Sequence, residues 1–308
     1  MDIFLAVVLF VAGFVMLVKG ADWFVDGAAG IAARFGIPQL VIGLTIVAMG
    51  TSAPEAAVSI TAAKAGNAGI TIGNVLGSNI MNVLVILGIT AAITSIAVQK
   101  STVKYEIPFM LLTAVVLLVV GMTDGEVVFW EGVVLWILFI IYMIYLFFMA
   151  RNGEGEEDET PKALWLQIVL VIIGAAGIVF GADLTVDNAS KIAEALGMDD
   201  RLIGLTIVAF GTSLPELVTS VTAARKGKAD IAIGNIVGSN LFNILFVVGT
   251  TALITPVAFK ESFFIDSIVS ISAGVLLWIG VLKDMKLKRT MGIIMLAAYA
   301  VYFVYLLI

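Results

Sequence analysis

The chain has 308 residues, of which 61% are hydrophobic and 13% charged, with a formal net charge of −6 and a mean hydropathy of +1.13. Soluble domains hold about 45–50% apolar and about 25% charged residues, so a water-soluble globule is excluded, and there is no nucleic-acid signature. Cysteine and histidine are absent, which excludes disulfides, thiolate chemistry, haem ligation and the usual zinc sites and leaves oxygen ligands, which suit hard cations.

Apolar runs near 20 residues long predict an all-α integral membrane protein, because about 20 helical residues cross roughly 30 Å of hydrocarbon. The alternating pattern of a membrane β-barrel is missing. In chain order the expected spans are 3–32, 38–64, 69–95, 104–122, 127–150, 163–193, 200–224, 229–256, 263–282 and 290–308. The first run has no basic leader and no small-residue cleavage site, and is read as a span, not a signal peptide. One long polar stretch, Arg151 to Lys162, separates the first five spans from the last five. The expected organisation is therefore a five-helix repeat at 1–150, an acidic linker at 151–162 and a second five-helix repeat at 163–308. The linker segment EGEEDE at 154–159 is read as solvated, over a loose calcium-binding run. Twelve Lys and Arg fall on one side of this plan, and only Lys64, Lys191, Arg201 and Lys260 on the other. By the positive-inside rule both termini are outside and the linker is cytoplasmic.

The two halves spell the same thing. Residues 42–55 read IGLTIVAMGTSAPE and 203–216 read IGLTIVAFGTSLPE; 73–82 read GNVLGSNIMN and 234–243 read GNIVGSNLFN. Both pairs are offset by 161 residues. A repeat of five helices enters the membrane from the opposite side in its second copy, which predicts two inverted-topology repeats. Pro54 removes the donor that the Gly50 carbonyl would use, and Gly50 lets the backbone leave the helix. Pro215 and Gly211 repeat the arrangement. Broken helices 2, 3, 7 and 8 are expected around one centre, with free carbonyls that attract cations.

Glu55 follows Thr51 and Ser52 at helical spacing, and Asn74, Ser78 and Asn82 form a stripe beside Gly73 and Gly77; Asn235, Ser239 and Asn243 repeat it beside Gly234 and Gly238. A lone Ser or Thr usually bonds its own backbone, and a lone small-residue stripe is usually packing. A carboxylate at mid-membrane costs on the order of 2.5–3.5 kcal/mol, so Glu55 and Glu216 are read as functional. Asn74 and Asn235 are either ligands or braces for the broken helices. Asp22 with Asp26, and Asp183 with Asp187, are repeated too, with a helix-end or lining role and ion binding both open. Glu106, Asp124, Glu126, Glu131 and Asp266 are read as interfacial.

These two linked motifs, each in two copies, resemble the α-repeats of the cation/calcium exchanger superfamily, specifically its sodium/calcium exchangers of prokaryotic and archaeal type. The resemblance covers nearly the whole chain. It implies ten helices and antiport of several sodium ions for each calcium. Carried over, Glu55 and Glu216 are the central carboxylates and Asn82 and Asn243 line the middle. Thr51 and Thr212 give carbonyls and hydroxyls, Ser52, Ser213, Ser78 and Ser239 complete the flanking sodium sites, and the carbonyls of Ala48 and Ala209 serve the outermost positions. Some relatives, the potassium-dependent exchangers among them, carry aspartate where this chain has Asn243, which argues against potassium co-transport. The expected partners are calcium, sodium and the lipid bilayer of the plasma membrane, with no cofactor, no nucleic acid and a monomeric carrier. A proton/calcium antiporter using the same glutamates is the nearest rival. An intramembrane enzyme with two carboxylates as acid and base and a channel are the others; the symmetric copies fit coordination better than asymmetric catalysis.

Overall fold

The computed structural model describes residues 3–153, 163–198, 207 and 209–307. Residues 154–162 of the expected linker at 151–162, and most of the first half of the seventh span, Arg201 included, lie outside the described residues. What is described is almost entirely helical. Helix α1 (Ile3–Phe35) is followed by a bent pair, α2 (Gln39–Thr51) and α3 (Ala53–Lys64). Then come α4 (Gly69–Ile93), α5 (Thr102–Asp124), α6 (Phe129–Asn152) and α7 (Leu164–Ala195). Of the seventh span, α8 (Ala209–Gly211) and α9 (Leu214–Arg225) are described; α10 (Ala229–Ile254), α11 (Ser262–Leu282) and α12 (Arg289–Leu307) complete the order. Among the described residues eight helices are long and apolar enough to cross a membrane, and the α2–α3 pair makes a ninth.

The layering follows from what the bilayer tolerates. The apolar window of α10 is 94% buried and that of α4 78%, against 22% for α1, α6 and α7. Helices α4 and α10, which carry the repeated Asn/Ser stripes, are thus the centre, and the outer helices turn residues such as Phe147, Ile172 and Val301 outward. With lipid as the neighbour, such exposure is free of the cost it has in water. Helices α1 and α7 pack against each other along most of their length. Gly13, Gly20 and Gly27 face Thr185, Ile178 and Gln167, and a Cβ at Gly20 would lie 2.7 Å from the Ile178 nitrogen. Glycine at every seventh position keeps one seam on the partner helix and lets the two backbones touch.

Four short strands, absent from the sequence reading, tie the halves together. Strand β1 (Ile96–Ala97) pairs antiparallel with β4 (Lys286–Leu287), and β2 (Glu126–Val127) with β3 (Val257–Ala258). Two glycines in matching turns adopt left-handed backbone, Gly66 at φ +81° and Gly227 at φ +76°. They close the corners between α3 and α4 and between α9 and α10.

One expectation is corrected. The third and eighth spans are not broken. Both run through without interruption but widen into π-helical turns at Asn82–Leu87 and Asn243–Val248. A π turn adds a residue to one turn while keeping the backbone hydrogen-bonded, so it reorients side chains without the exposed carbonyls of a full break.

Candidate ion-binding site

The break in the second span is at Ser52, whose φ −86° and ψ 7° lie outside helical geometry, and the flanking segments meet at 48°. Pro54 sits in the first turn of α3, where its missing N–H is not needed. Ser213, at φ −94° and ψ 5°, and Pro215 repeat this before α9. The break therefore creates a fresh helix N-terminus in mid-bundle, and Glu55 and Glu216 occupy the first turns that follow it. Both carboxylates are 1% exposed.

The two breaks touch. Ser52 donates to Glu216 Oε1 at 2.8 Å. Thr51 Oγ1 lies 3.1 Å from the Val47 carbonyl, 3.3 Å from that of Ala48 and 3.0 Å from Asn235 Oδ1, with one proton to serve them. Ser239 donates to the Ala48 carbonyl at 3.4 Å. Ser78 is buried in α4, and Thr212 is half-buried. The Ala209 side chain lies outside the described residues; its backbone opens α8.

Asn74 and Asn235 act as braces. Asn74 Nδ2 donates to Ser59 Oγ at 3.0 Å and to the Glu55 carbonyl at 3.3 Å. Asn235 Nδ2 does the same to Ser220 Oγ at 2.9 Å and the Glu216 carbonyl at 3.4 Å. Each amide thus pins the half-helix that carries a glutamate.

Two further asparagines, missed from the sequence, set the orientation of the central amides. Asn82 Nδ2 donates to Asn240 Oδ1 at 2.9 Å, and Asn243 Nδ2 to Asn79 Oδ1 at 3.2 Å. Asn79 and Asn240 then donate to each other's backbone carbonyls at 3.2 and 3.3 Å. With both nitrogens engaged, the carbonyl ends of Asn82 and Asn243 are left over. The spelling GSN-x-x-N was the available signal; the partner lies one repeat away.

The consequence is a set of buried oxygens with no donor. Glu55 Oε2, Glu216 Oε2, Asn82 Oδ1, Asn243 Oδ1 and Ser213 Oγ have no hydrogen-bond partner. A buried unsatisfied acceptor costs about 1–3 kcal/mol, more when charged, and these acceptors come from the residue types that ligate hard cations. Among the described residues no three carboxylates cluster, so neutral amide, hydroxyl and carbonyl oxygens must complete any coordination shell.

Other acidic groups belong elsewhere. Lys226 bridges Asp22 at 2.6 Å and Asp26 at 2.8 Å, tying α9 to α1. Asp183 and Asp187 lie exposed on α7. Glu131 accepts from the Val128 amide at 2.8 Å at the start of α6, as an interfacial residue would. Glu106 corrects the sequence reading: it is 1% exposed and is bonded by Tyr145, because α5 begins with a π turn at Thr102–Glu106 that buries it.

The family model described as sodium/calcium exchanger protein matches residues 5–148 and 166–308. The putative antiporter CaxA of Alkalimonas amylolytica is 38% identical over 96% of this chain and 97% of its own. The sodium/calcium exchanger MaX1 of Methanosarcina acetivorans is 34% identical over 96% of each chain. The structure of the sodium-calcium exchanger NCX_Mj soaked with zero Na+ and Ca2+ superposes with a TM-score of 0.87 at 38% identity, covering 99% of both chains.

Proposed function

The chain belongs to the sodium/calcium exchanger protein family, and we propose that it exchanges sodium for calcium at the Glu55/Glu216 site by alternating access. What carries this reading is the pairing of donor-free buried oxygens across the two repeats: Glu55 with Glu216, and Asn82 with Asn243. Calcium takes six to eight oxygens in flexible geometry (roughly 2.3–2.6 Å away). Two carboxylates, two amide oxygens, the hydroxyls of Ser52, Ser213, Ser78 and Ser239, and carbonyls and hydroxyls at Thr51 and Thr212 offer such a set. Carbonyls of Ala48 and Ala209 would serve the outer sodium positions.

The architecture proposed with it is ten helices in two inverted five-helix units, 1–150 and 163–308, joined by the linker at 151–162. The strand pairs support the inversion. Strand β1 follows α4, and β3 follows its counterpart α10. Strand β3 pairs with β2, which lies one crossing beyond β1, and β4 returns to β1. Alternating crossings then put the ends of α4 and α10 on opposite faces. Lysines crowd the β1–β4 end, with Lys100, Lys104, Lys286 and Lys288, which favours a cytoplasmic face there, a cytoplasmic linker and outside termini.

Exchange follows from charge. With both carboxylates ionised the ion-free site carries two negative charges. One calcium neutralises them, and two or three sodium ions neutralise or slightly exceed them. Carrying unpaired carboxylates through an occluded state is costly, so return without cargo is suppressed. Helices α1 and α7, joined backbone to backbone by glycine, move as one body past the buried core and open the site to each side in turn.

The test is calcium-45 uptake by proteoliposomes driven by a sodium gradient, with proton gradients collapsed by ionophore. Uptake is expected in the wild type and lost in Glu55→Gln and in Glu216→Gln, both with unchanged elution profiles. Uptake that follows a pH gradient and ignores sodium would replace this reading with proton/calcium antiport.

A further inference from the structure

Outside the ion site, the seam between α1, α2 and α9 is closed around one side chain. Phe24 of α1 is 1% exposed and is the largest fully buried side chain among the described residues. Its ring points at Gly50 of α2, where a Cβ would lie 2.9 Å from Phe24 Cζ. Glycine thus leaves the notch in which the ring tip sits. Phe24 belongs to an apolar cluster with Ala21 and Val25 of α1, Val47 of α2, and Val218 and Ala223 of α9. On either side of it, Asp22 and Asp26 are held by Lys226, whose Nζ also donates to the Asp22 carbonyl at 3.1 Å. Gly50 precedes Thr51, and Val218 follows Glu216 by two residues. The ring therefore lies behind the two segments that carry these site residues.

We propose that Phe24 is a gate residue for the ion site, sealing the route between α2 and α9 on the side of α1; this rests on the exchange reading of the Glu55/Glu216 site. An ion moving along that route needs water or oxygen ligands at each step, and an apolar constriction excludes both. The ring acts without touching an ion. When α1 shifts, the ring leaves the Gly50 notch and the gap behind Thr51 and Glu216 opens. A carrier open on both sides at once would pass calcium down its gradient without exchange, so the seal is what keeps transport coupled.

The second repeat argues against a mere filling role. At the offset of 161, Asp22, Asp26 and Gly50 recur as Asp183, Asp187 and Gly211, but Phe24 becomes Thr185. Thr185 turns to its own helix, donating to the Gly181 carbonyl at 2.6 Å, and Gly211 faces the smaller Val186. The surfaces differ to match. Val218, Ala223 and Lys226 of α9 pack or pair with α1. Their counterparts on α3, Ala57, Ala62 and Ala65, line an open hollow of about 490 Å³. Aromatic plug, lysine clasp and covered helix face coincide in one repeat, and all three are replaced in the other. A side chain that only filled volume would have no reason to follow the clasp.

The experiment is calcium-45 release from preloaded, voltage-clamped proteoliposomes into medium without sodium or calcium, read beside equilibrium calcium-45 binding to the purified protein. The wild type should hold its calcium. Phe24→Ala should release it about tenfold faster or more, with affinity within about threefold, because an opened gate changes rates and spares the bound state. Phe24→Leu keeps an apolar plug and should stay near wild type, and Thr185→Ala should not leak. Lost packing alone would lower the thermal midpoint without a leak. If Phe24→Ala does not fold, Phe24→Val should show an intermediate leak. Wild-type retention in the alanine variant, or in the valine variant where alanine does not fold, would overturn the gate, as would an equal leak in Thr185→Ala. A leak in Phe24→Ala beside a wild type that ignores sodium would sink the exchange reading and leave the gate; intact exchange with no leak would do the reverse.

Discussion

Replacing Asn240 by alanine tests whether the amide network, and not the ligands alone, makes the site. Asn240 is not expected to touch the ion. It holds Asn82 by accepting from its Nδ2 at 2.9 Å, and it donates to the Asn79 carbonyl at 3.3 Å. Without it, the Asn82 amide loses the acceptor that decides which end faces the centre. The nitrogen can then rotate inward, where it repels a cation. A buried donor left without a partner costs about 1–3 kcal/mol; if that restraint is what aligns the ligand, calcium binding weakens by roughly 5–150-fold. Asn240→Asp keeps the acceptor and should retain most of the affinity. The readout is equilibrium calcium-45 binding to purified protein without sodium, in a double-mutant cycle with Asn82→Ala. Once Asn82 is gone, Asn240→Ala should add little, giving a coupling of about 0.5–3 kcal/mol. Affinity within twofold of wild type in Asn240→Ala, or full additivity with Asn82→Ala, would refute the reasoning. By the pseudo-symmetry, Asn79→Ala should act in the same way on Asn243.

Three further outcomes are expected. Lys226→Ala should shift the balance between the two proposed facing states by up to about fivefold, since the half-exposed clasp, one shared cation, contributes about 0.2–1 kcal/mol in all; the chain has no cysteine, so labelling of a single cysteine introduced on α1 reports the change, and unchanged labelling counts against a latch. Gly20→Val should lower the thermal midpoint and abolish exchange, because its Cβ would meet the Ile178 nitrogen at 2.7 Å and overpacking costs about 1–3 kcal/mol; a wild-type midpoint would mean the α1–α7 seam is looser than described. Asn243→Asp adds a third carboxylate and should tighten calcium binding and confer sensitivity to potassium, and unaltered affinity for both ions would remove position 243 from the ligand set.

Much of this was readable in the sequence because the bilayer imposes simple rules. Among the described residues the long apolar runs gave spans whose limits agree with the helices to within a few residues, and Pro54 gave the bend at Ser52. The repeat gave Glu55 with Glu216 and Asn82 with Asn243 as corresponding positions. The rest depended on information that is not local. A π turn has no spelling of its own, so the continuous course of α4 and α10 was taken for a break. Asn79 and Asn240 stood inside the repeated motif, but their partners are across the two-fold relation, and only contact reveals them. Glu106 was assigned to the membrane edge because its span was drawn from 104; the helix begins at Thr102, and its first turn is a π turn. The glycines at 13, 20 and 27 were legible at a spacing of seven, and their meaning needed the matching glycines of α7.

The symmetry of the site also says where its direction must come from. On the proposed inverted-repeat architecture, exchanging the two repeats swaps Glu55 with Glu216 and Asn82 with Asn243, so the proposed ligands alone would give the two facing states similar energies. A preference has to come from contacts the repeats do not share. Two such contacts are present. Ser52 donates a hydrogen bond to Glu216 Oε1, while its counterpart Ser213 has no partner, so the two carboxylates meet an arriving ion differently prepared. Lys226 clasps Asp22 and Asp26, yet the corresponding position in the first repeat is Ala65, and no lysine can clasp Asp183 and Asp187 from there. The clasp joins α1 to the end of α9, the half-helix that carries Glu216. The clasp therefore resists displacement of α1 relative to that half-helix, and at about 1 kcal/mol it is weak enough for ion binding to override.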